Sequence, residues 1–162
     1  MTVTHVHTDP EALTMTLTAQ FEAAIGRVWK LWEDPRQLER WWGPPTYPAT
    51  VVEHNMAPGG SVTYFMTGPE GDRYYGWWRV LTVEAPHGLE FEDGFADEAG
   101  NPNPKMPTTA TRVILTEGTS GVTTMSIETT FPSLEAMQQL AKMGMEEGLT
   151  LAVGQIDAIL AG

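Results

Sequence analysis

The sequence predicts an α+β domain in which a curved antiparallel sheet covers its buried face with a long terminal helix. Three observations carry that class. Residues 13–21 alternate strictly between apolar and polar, the period of a half-buried strand. Short hydrophobic segments separated by Pro/Gly turn signals follow in the middle of the chain, and residues 133–162 run with a helical period.

Residues 1–10 are expected to be a flexible leader, with 11–162 as a single domain, a length that supports one core. In the first strand Leu13, Met15, Leu17, Ala19 and Phe21 face one way and the threonines face the other. The period then changes: Ile25, Val28, Trp29 and Trp32 have helical spacing, and Asp34 before Pro35 ends that helix. A second short helix, "PRQLERWWG", starts on Pro35 and stops at Gly43.

Next come "YPATVVEHNM", "SVTYFMTG", "RYYGWWRVLTV" and "LEFED", separated by "APGG", "PEGD" and "EAPHG", the pattern of an antiparallel meander. The stretch "GFADEAGNPNPKMPTTA" reads as an exposed loop, and "TRVILTE" and "VTTMSIETTF" as two more strands joined at "GTSG". That makes about seven strands. The last helix opens on Ser133 as N-cap with Glu135 in its first turn.

Composition narrows the function classes. There is no cysteine, which removes disulfides, thiolate nucleophiles and zinc–sulfur sites and fits a reducing cytoplasm. Nine Lys and Arg against 21 Asp and Glu give a formal charge of −12, which repels polyphosphate and argues against nucleic acid. No apolar run is long enough to span a membrane, so no membrane partner is expected.

The order of elements and several motifs resemble the SRPBCC superfamily, also called START-like or Bet v 1-like. The closest likeness is to the branch named for the activator of heat shock protein 90 ATPase. The resemblance is carried by "VWKLWEDPRQLERWWGP" from Val28, "APGGSVTYFM" from Ala57, "GWWRVLTVEAPHGLEF" from Gly76 and "GMEEGLTLAVGQIDAIL" near the C-terminus. Two positions depart from it: the usual arginine before the Pro-Gly-Gly turn is Ala57, and a common tryptophan in the last helix is Leu149. The resemblance implies a helix-grip fold with a cavity between sheet and C-terminal helix, one end of it plugged by the indoles of "RWWGP". It does not imply a single activity, since the superfamily includes carriers, cyclases, hydrolase-like enzymes and co-chaperones.

Four histidines are present. His5 and His7 with Asp9 form a weak metal motif in the leader, without helical spacing, and no dedicated metal or cofactor is expected. His87 belongs to a turn. His54 alternates with Val52 and Met56, so an inward register makes it a titratable group in an apolar cavity. The alternative is a core histidine bonded to a backbone carbonyl, or an outward one if the register is reversed. Glu90, Glu92 and Asp93 suggest an acid/base pair, but Glu90 and Glu92 lie opposite Leu89 and Phe91, the pattern of a solvated strand face.

The remaining candidates for a ligand cavity are Trp42 at the mouth, and Tyr64, Met66, Trp78 and Met125 on strands, where ordinary core is the competing reading. On the terminal helix the apolar face includes Met137 and Met145, while its middle is small: Ala141, Gly144, Gly148 and Ala152. Interior glycines cost a helix about 0.5–1 kcal/mol each relative to alanine. Gly144 and Gly148 therefore ask for a reason, either close approach to the sheet or room for a ligand flanked by Met145, Leu149 and Leu151.

Three functions are expected, in order of preference. The first is binding of a small hydrophobic molecule in the cavity. The second is an enzyme on the same scaffold with His54 or Tyr64 as acid/base. The third, carried by the resemblance, is a co-chaperone-like activator of a chaperone ATPase. A homodimer or a chaperone partner is compatible with the resemblance, but no residue pattern points to either.

Overall fold

The computed structural model describes residues 3–162. An eight-stranded antiparallel sheet is packed on its inner face by helices, in the α+β, helix-grip arrangement that the sequence predicts. The strands are β1 (Val3–Asp9), β2 (Thr14–Phe21), β3 (Ala49–His54), β4 (Ser61–Thr67), β5 (Arg73–Glu84), β6 (Gly88–Ala96), β7 (Thr109–Glu117) and β8 (Thr123–Thr130). Their spatial order is β1-β2-β8-β7-β6-β5-β4-β3. The helices are α1 (Ile25–Glu33), α2 (Pro35–Leu38), α3 (Leu134–Lys142), α4 (Met145–Val153) and α5 (Ile156–Ala161).

The eighth strand is β1. Its residues read as part of a flexible leader, yet they pair with β2 from Val3↔Ala19 to Asp9↔Thr14. Its alternation is short and polar, so only the unpaired edge of β2 makes it a strand. Residues 1 and 2 lie outside the described residues.

Inward positions on β2 follow the alternation, with Met15, Leu17, Ala19 and Phe21 all buried. The tryptophan-rich segment buries Val28, Trp29, Leu31 and Trp32 from α1. Asp34 caps α2 by accepting from the Arg36 amide, and Pro35 occupies its first turn. This helix ends at Leu38 rather than continuing to Gly43, and the chain reaches the tryptophans through turns.

The C-terminal helix is not one rod. It breaks at Gly144, whose φ of +83° is left-handed, and again at Gly154 and Gln155. Gly144 thus has a backbone reason that a helical wheel cannot display: a left-handed residue between α3 and α4 favours glycine. At the second break, Gln155 Nε2 donates to the carbonyls of Gly43 (2.7 Å) and Trp41 (3.3 Å), tying the helical layer to the double-tryptophan segment.

Candidate functional site

The inner face of the sheet changes character along its strands. On β7 the inward residues run Thr109, Thr111, Val113, Leu115, and on β8 they run Thr123, Met125, Ile127, Thr129. The apolar half is covered by α1, the double-tryptophan segment and α5, in one cluster with Trp32, Trp41, Trp78 and Phe91. The polar half, bearing Thr109, Thr111 and Thr129, is not filled. There a cavity of about 310 Å³ opens between β4–β8 and the α3–α4 junction.

Trp42 and Pro44 wall one side, Tyr64 and Met66 of β4 the next, and Leu140, Met143, Met145, Gly148 and Leu149 the helical side. Asp93 stands on the floor. Period two places it with Leu89 and Phe91 on the inward face of β6, opposite Thr109 of β7 in register. The Thr109 hydroxyl donates to Asp93 Oδ1 at 2.5 Å, and the Thr111 hydroxyl donates to the same oxygen at 3.3 Å. Burial pushes the Asp93 carboxyl up to about 6, with the two threonine hydrogen bonds opposing the rise. The area that Asp93 exposes faces the cavity.

Tyr64 lies over Gly76, its partner on β5, and a side chain there would collide with the Tyr64 ring and hydroxyl. Glycine at 76 is what lets the ring lie flat at the cavity wall. Burial, and then the charge of Asp93, raise the Tyr64 hydroxyl well above its ordinary value. The indole N–H groups of Trp42 and Trp78 are near enough to oppose that rise, yet both are buried and neither reaches a hydrogen-bonded geometry. Tyr64 therefore stays a protonated phenol at neutral pH, a donor and not a base.

The expected site residues divide. Trp42, Tyr64, Met66, Met145, Gly148 and Leu149 line the cavity together. Trp78 and Met125 do not: both are buried in the packed cluster, Trp78 stacked on Phe91 with ring centroids 4.0 Å apart. Met137 belongs to a separate small cluster with Met15, Phe131 and Leu140. Gly144 is the helix break and does not line the cavity.

The β3 reading, with Val52 and His54 on one inward face, fails. Ala49 and Val51 are buried, so Val52 points outward with 68% exposure, and the register then shifts between Val51 and Glu53. His54 Nε2 lies 3.1 Å from the Trp32 carbonyl oxygen and is not part of the cavity wall. It is the carbonyl-bonded histidine of the alternative reading. A bulge inserts one residue and inverts the facing of the residues beyond it, which alternation alone does not reveal. His5 and His7 stack on an exposed face of β1, and among the described residues no three metal-ligating side chains gather.

Thr109 and Thr111 are residues that sequence reasoning missed, and Asp93 it set aside with Glu90 and Glu92. The signal was present: Leu89, Phe91 and Asp93 share a face, as do Thr109, Thr111 and Val113. Pattern could not supply the pairing of those two faces into one hydrogen-bonded floor.

The family model described as Activator of Hsp90 ATPase homolog 1-like protein matches residues 22–161. Protein Ms6760 from Mycobacterium smegmatis is 49% identical, with a TM-score of 0.90 over 98% of this chain and 96% of that one. A protein from Arthrobacter aurescens is 52% identical, with a TM-score of 0.94 over 99% and 92%. A protein from Silicibacter pomeroyi shares the fold at 20% identity, with a TM-score of 0.72 over 91% and 97%. Among curated proteins none matches. With a family model spanning nearly the whole domain and solved relatives at about half identity along its length, the chain belongs to the activator of Hsp90 ATPase homolog 1-like branch of the SRPBCC superfamily.

Proposed function

We propose that this protein binds a small, largely apolar molecule between the inner face of the sheet and the α3–α4 junction. The observation that supports the reading is a cavity of about 310 Å³ with aromatic and aliphatic walls and a few polar groups gathered at its floor, the composition typical of ligand pockets. Walls left without partner atoms forfeit dispersion contacts, so an occupant adds stability as well as function. The absence of cysteine suits a reducing cytoplasm. No helix among the described residues is long and apolar enough to cross a membrane. The proposal needs neither a homodimer nor a chaperone partner.

The enzyme reading loses His54, which sits outside the cavity, and keeps Tyr64 only as a proton donor, since it stays protonated. The co-chaperone reading rests on the family description alone.

The test is Gly148→Leu. A Cβ at Gly148 meets no atom within 4 Å and the residue lines the cavity, so a leucine there extends into cavity space. The neutral dye N-phenyl-1-naphthylamine should bind the native protein saturably and should not bind the variant. The variant's melting temperature should hold or rise, because leucine exceeds glycine in helix propensity by up to about 1 kcal/mol. A lowered melting temperature with unchanged dye binding would overturn the proposal.

A further inference from the structure

We infer that the cavity selects a hydrophobic organic cation, a protonated amine on an apolar body, and holds its charged end against the Asp93 carboxylate. This deepens the binding reading above and rests on it. The first ground is an unmatched charge. Asp93 receives only neutral partners, the Thr109 and Thr111 hydroxyls, and both donate to Oδ1, so Oδ2 receives neither. Among the described residues lining the cavity there is no Lys, Arg or His. Ion pairs such as Lys30–Glu33 and Arg79–Glu92 involve other, largely exposed side chains. A carboxylate withdrawn from water without a counter-cation is costly, and a neutral residue could fill the same place on β6. An incoming cation removes that cost.

The second ground is the wall. Trp42, Tyr64 and Phe95 line the same cavity, and aromatic faces attract organic cations through their quadrupoles, more strongly where water is excluded. An anionic ligand finds the opposite. The Trp42 and Trp78 indole N–H groups are buried away from the cavity surface, the two nearest threonines are engaged with Asp93, and the chain carries −12 overall.

Titration of Asp93 supplies the check. The other titratable groups lining the cavity are phenols, Tyr64 on β4 and Tyr74 and Tyr75 on β5, while β7, β8, α3 and α4 contribute none. With its carboxyl raised to about 6, Asp93 is mostly ionised at neutral pH and mostly protonated one unit below 6.

A matched trio of probes decides the matter: 2-naphthylmethylamine, 2-naphthalenemethanol and 2-naphthoate, titrated against the full chain by calorimetry and by displacement of N-phenyl-1-naphthylamine. At about pH 7.5 the amine should bind at least about tenfold more tightly than the alcohol, and the acid most weakly, as for a charge-assisted hydrogen bond out of water. The amine's advantage should shrink toward about pH 5 as Asp93 takes up a proton. Asp93→Asn, which keeps the shape and an acceptor for both threonines, should abolish the advantage while leaving the alcohol and the dye bound. An alcohol or acid that equals the amine, or an advantage that survives in the asparagine variant, would overturn the inference and leave the binding cavity standing. If neither dye nor any of the three probes binds, the binding reading falls and this inference with it. The pH series on the native chain stands even if the variant folds poorly.

Discussion

Asp93 bears on stability. Its folded pKa, about 6, lies above the ordinary 3.8, so the folded state holds the proton more tightly than the unfolded state between those values. Stability from this group is therefore fully present below about 4 and is lost as pH rises through about 6. Two units correspond to about 3 kcal/mol, which is the cost of the ionised, unliganded carboxylate at neutral pH. Asp93→Asn should accordingly be more stable than the native chain in urea at about pH 7.5, by about 2–3 kcal/mol, and the gap should narrow by about half near pH 5. A gap independent of pH would mean that Asp93 ionises as it does in water. The adjacent tryptophans separate in the same way. Trp41 is fully buried and its Nε1 donates to the Leu31 carbonyl at 3.0 Å, whereas Trp42 lines the cavity. Trp41→Ala should cost about 3–5 kcal/mol, and Trp42→Ala should cost less while weakening dye binding more. Equal losses from the two would contradict this division. The inequality was legible in the sequence, since neighbours on a helical turn diverge by about 100°. Which of the two faces the cavity was not.

At the scale of elements, the glycines of the helical layer have different jobs. Gly144 is left-handed with nothing near its Cβ position, so Gly144→Ala should cost about 1 kcal/mol through backbone strain alone and leave dye binding intact. Thermal unfolding with dye titration checks both halves; loss of dye binding would show that the break shapes the cavity. Gly148, one turn along α4, is helical and faces open space. A helical wheel puts both on one small face because it assumes a continuous helix, and it cannot see the reversal at Gly144. β3 teaches the same limit: Ala49 and Val51 set the buried side and leave Val52 outward, and beyond the bulge His54 pairs with the buried Val62 and meets the Trp32 carbonyl. By contrast β2, α1 and the Ser133 cap, whose Oγ accepts from the Ala136 amide at 3.0 Å, follow their local signals closely.

For the whole molecule, the sheet acts as a ramp. Its inner face is packed at one end by tryptophans and left open over threonines and Asp93 at the other, so a single curved surface serves as core and as cavity floor. Its outer limit at β2 is guarded by β1. Removing residues 3–9 should lower the melting temperature and, by baring the β2 edge, promote association on size-exclusion chromatography. An unchanged, monodisperse protein would show that β1 adds nothing.

The sequence by itself determined what local periodicity and turn chemistry can encode: the class, the run of strands in the meander, the Ser133 cap and the apolar faces of β2 and α1. These depend on neighbours one to four residues away, and short-range sterics settle them. Only the tertiary structure decided that β1 pairs, that the last helix breaks, and that Asp93 meets Thr109 and Thr111. Each depends on residues distant in the chain. An edge needs a partner strand, and a carboxyl acquires its chemistry from whatever the fold closes around it, because desolvation is a property of the surroundings and not of the residue.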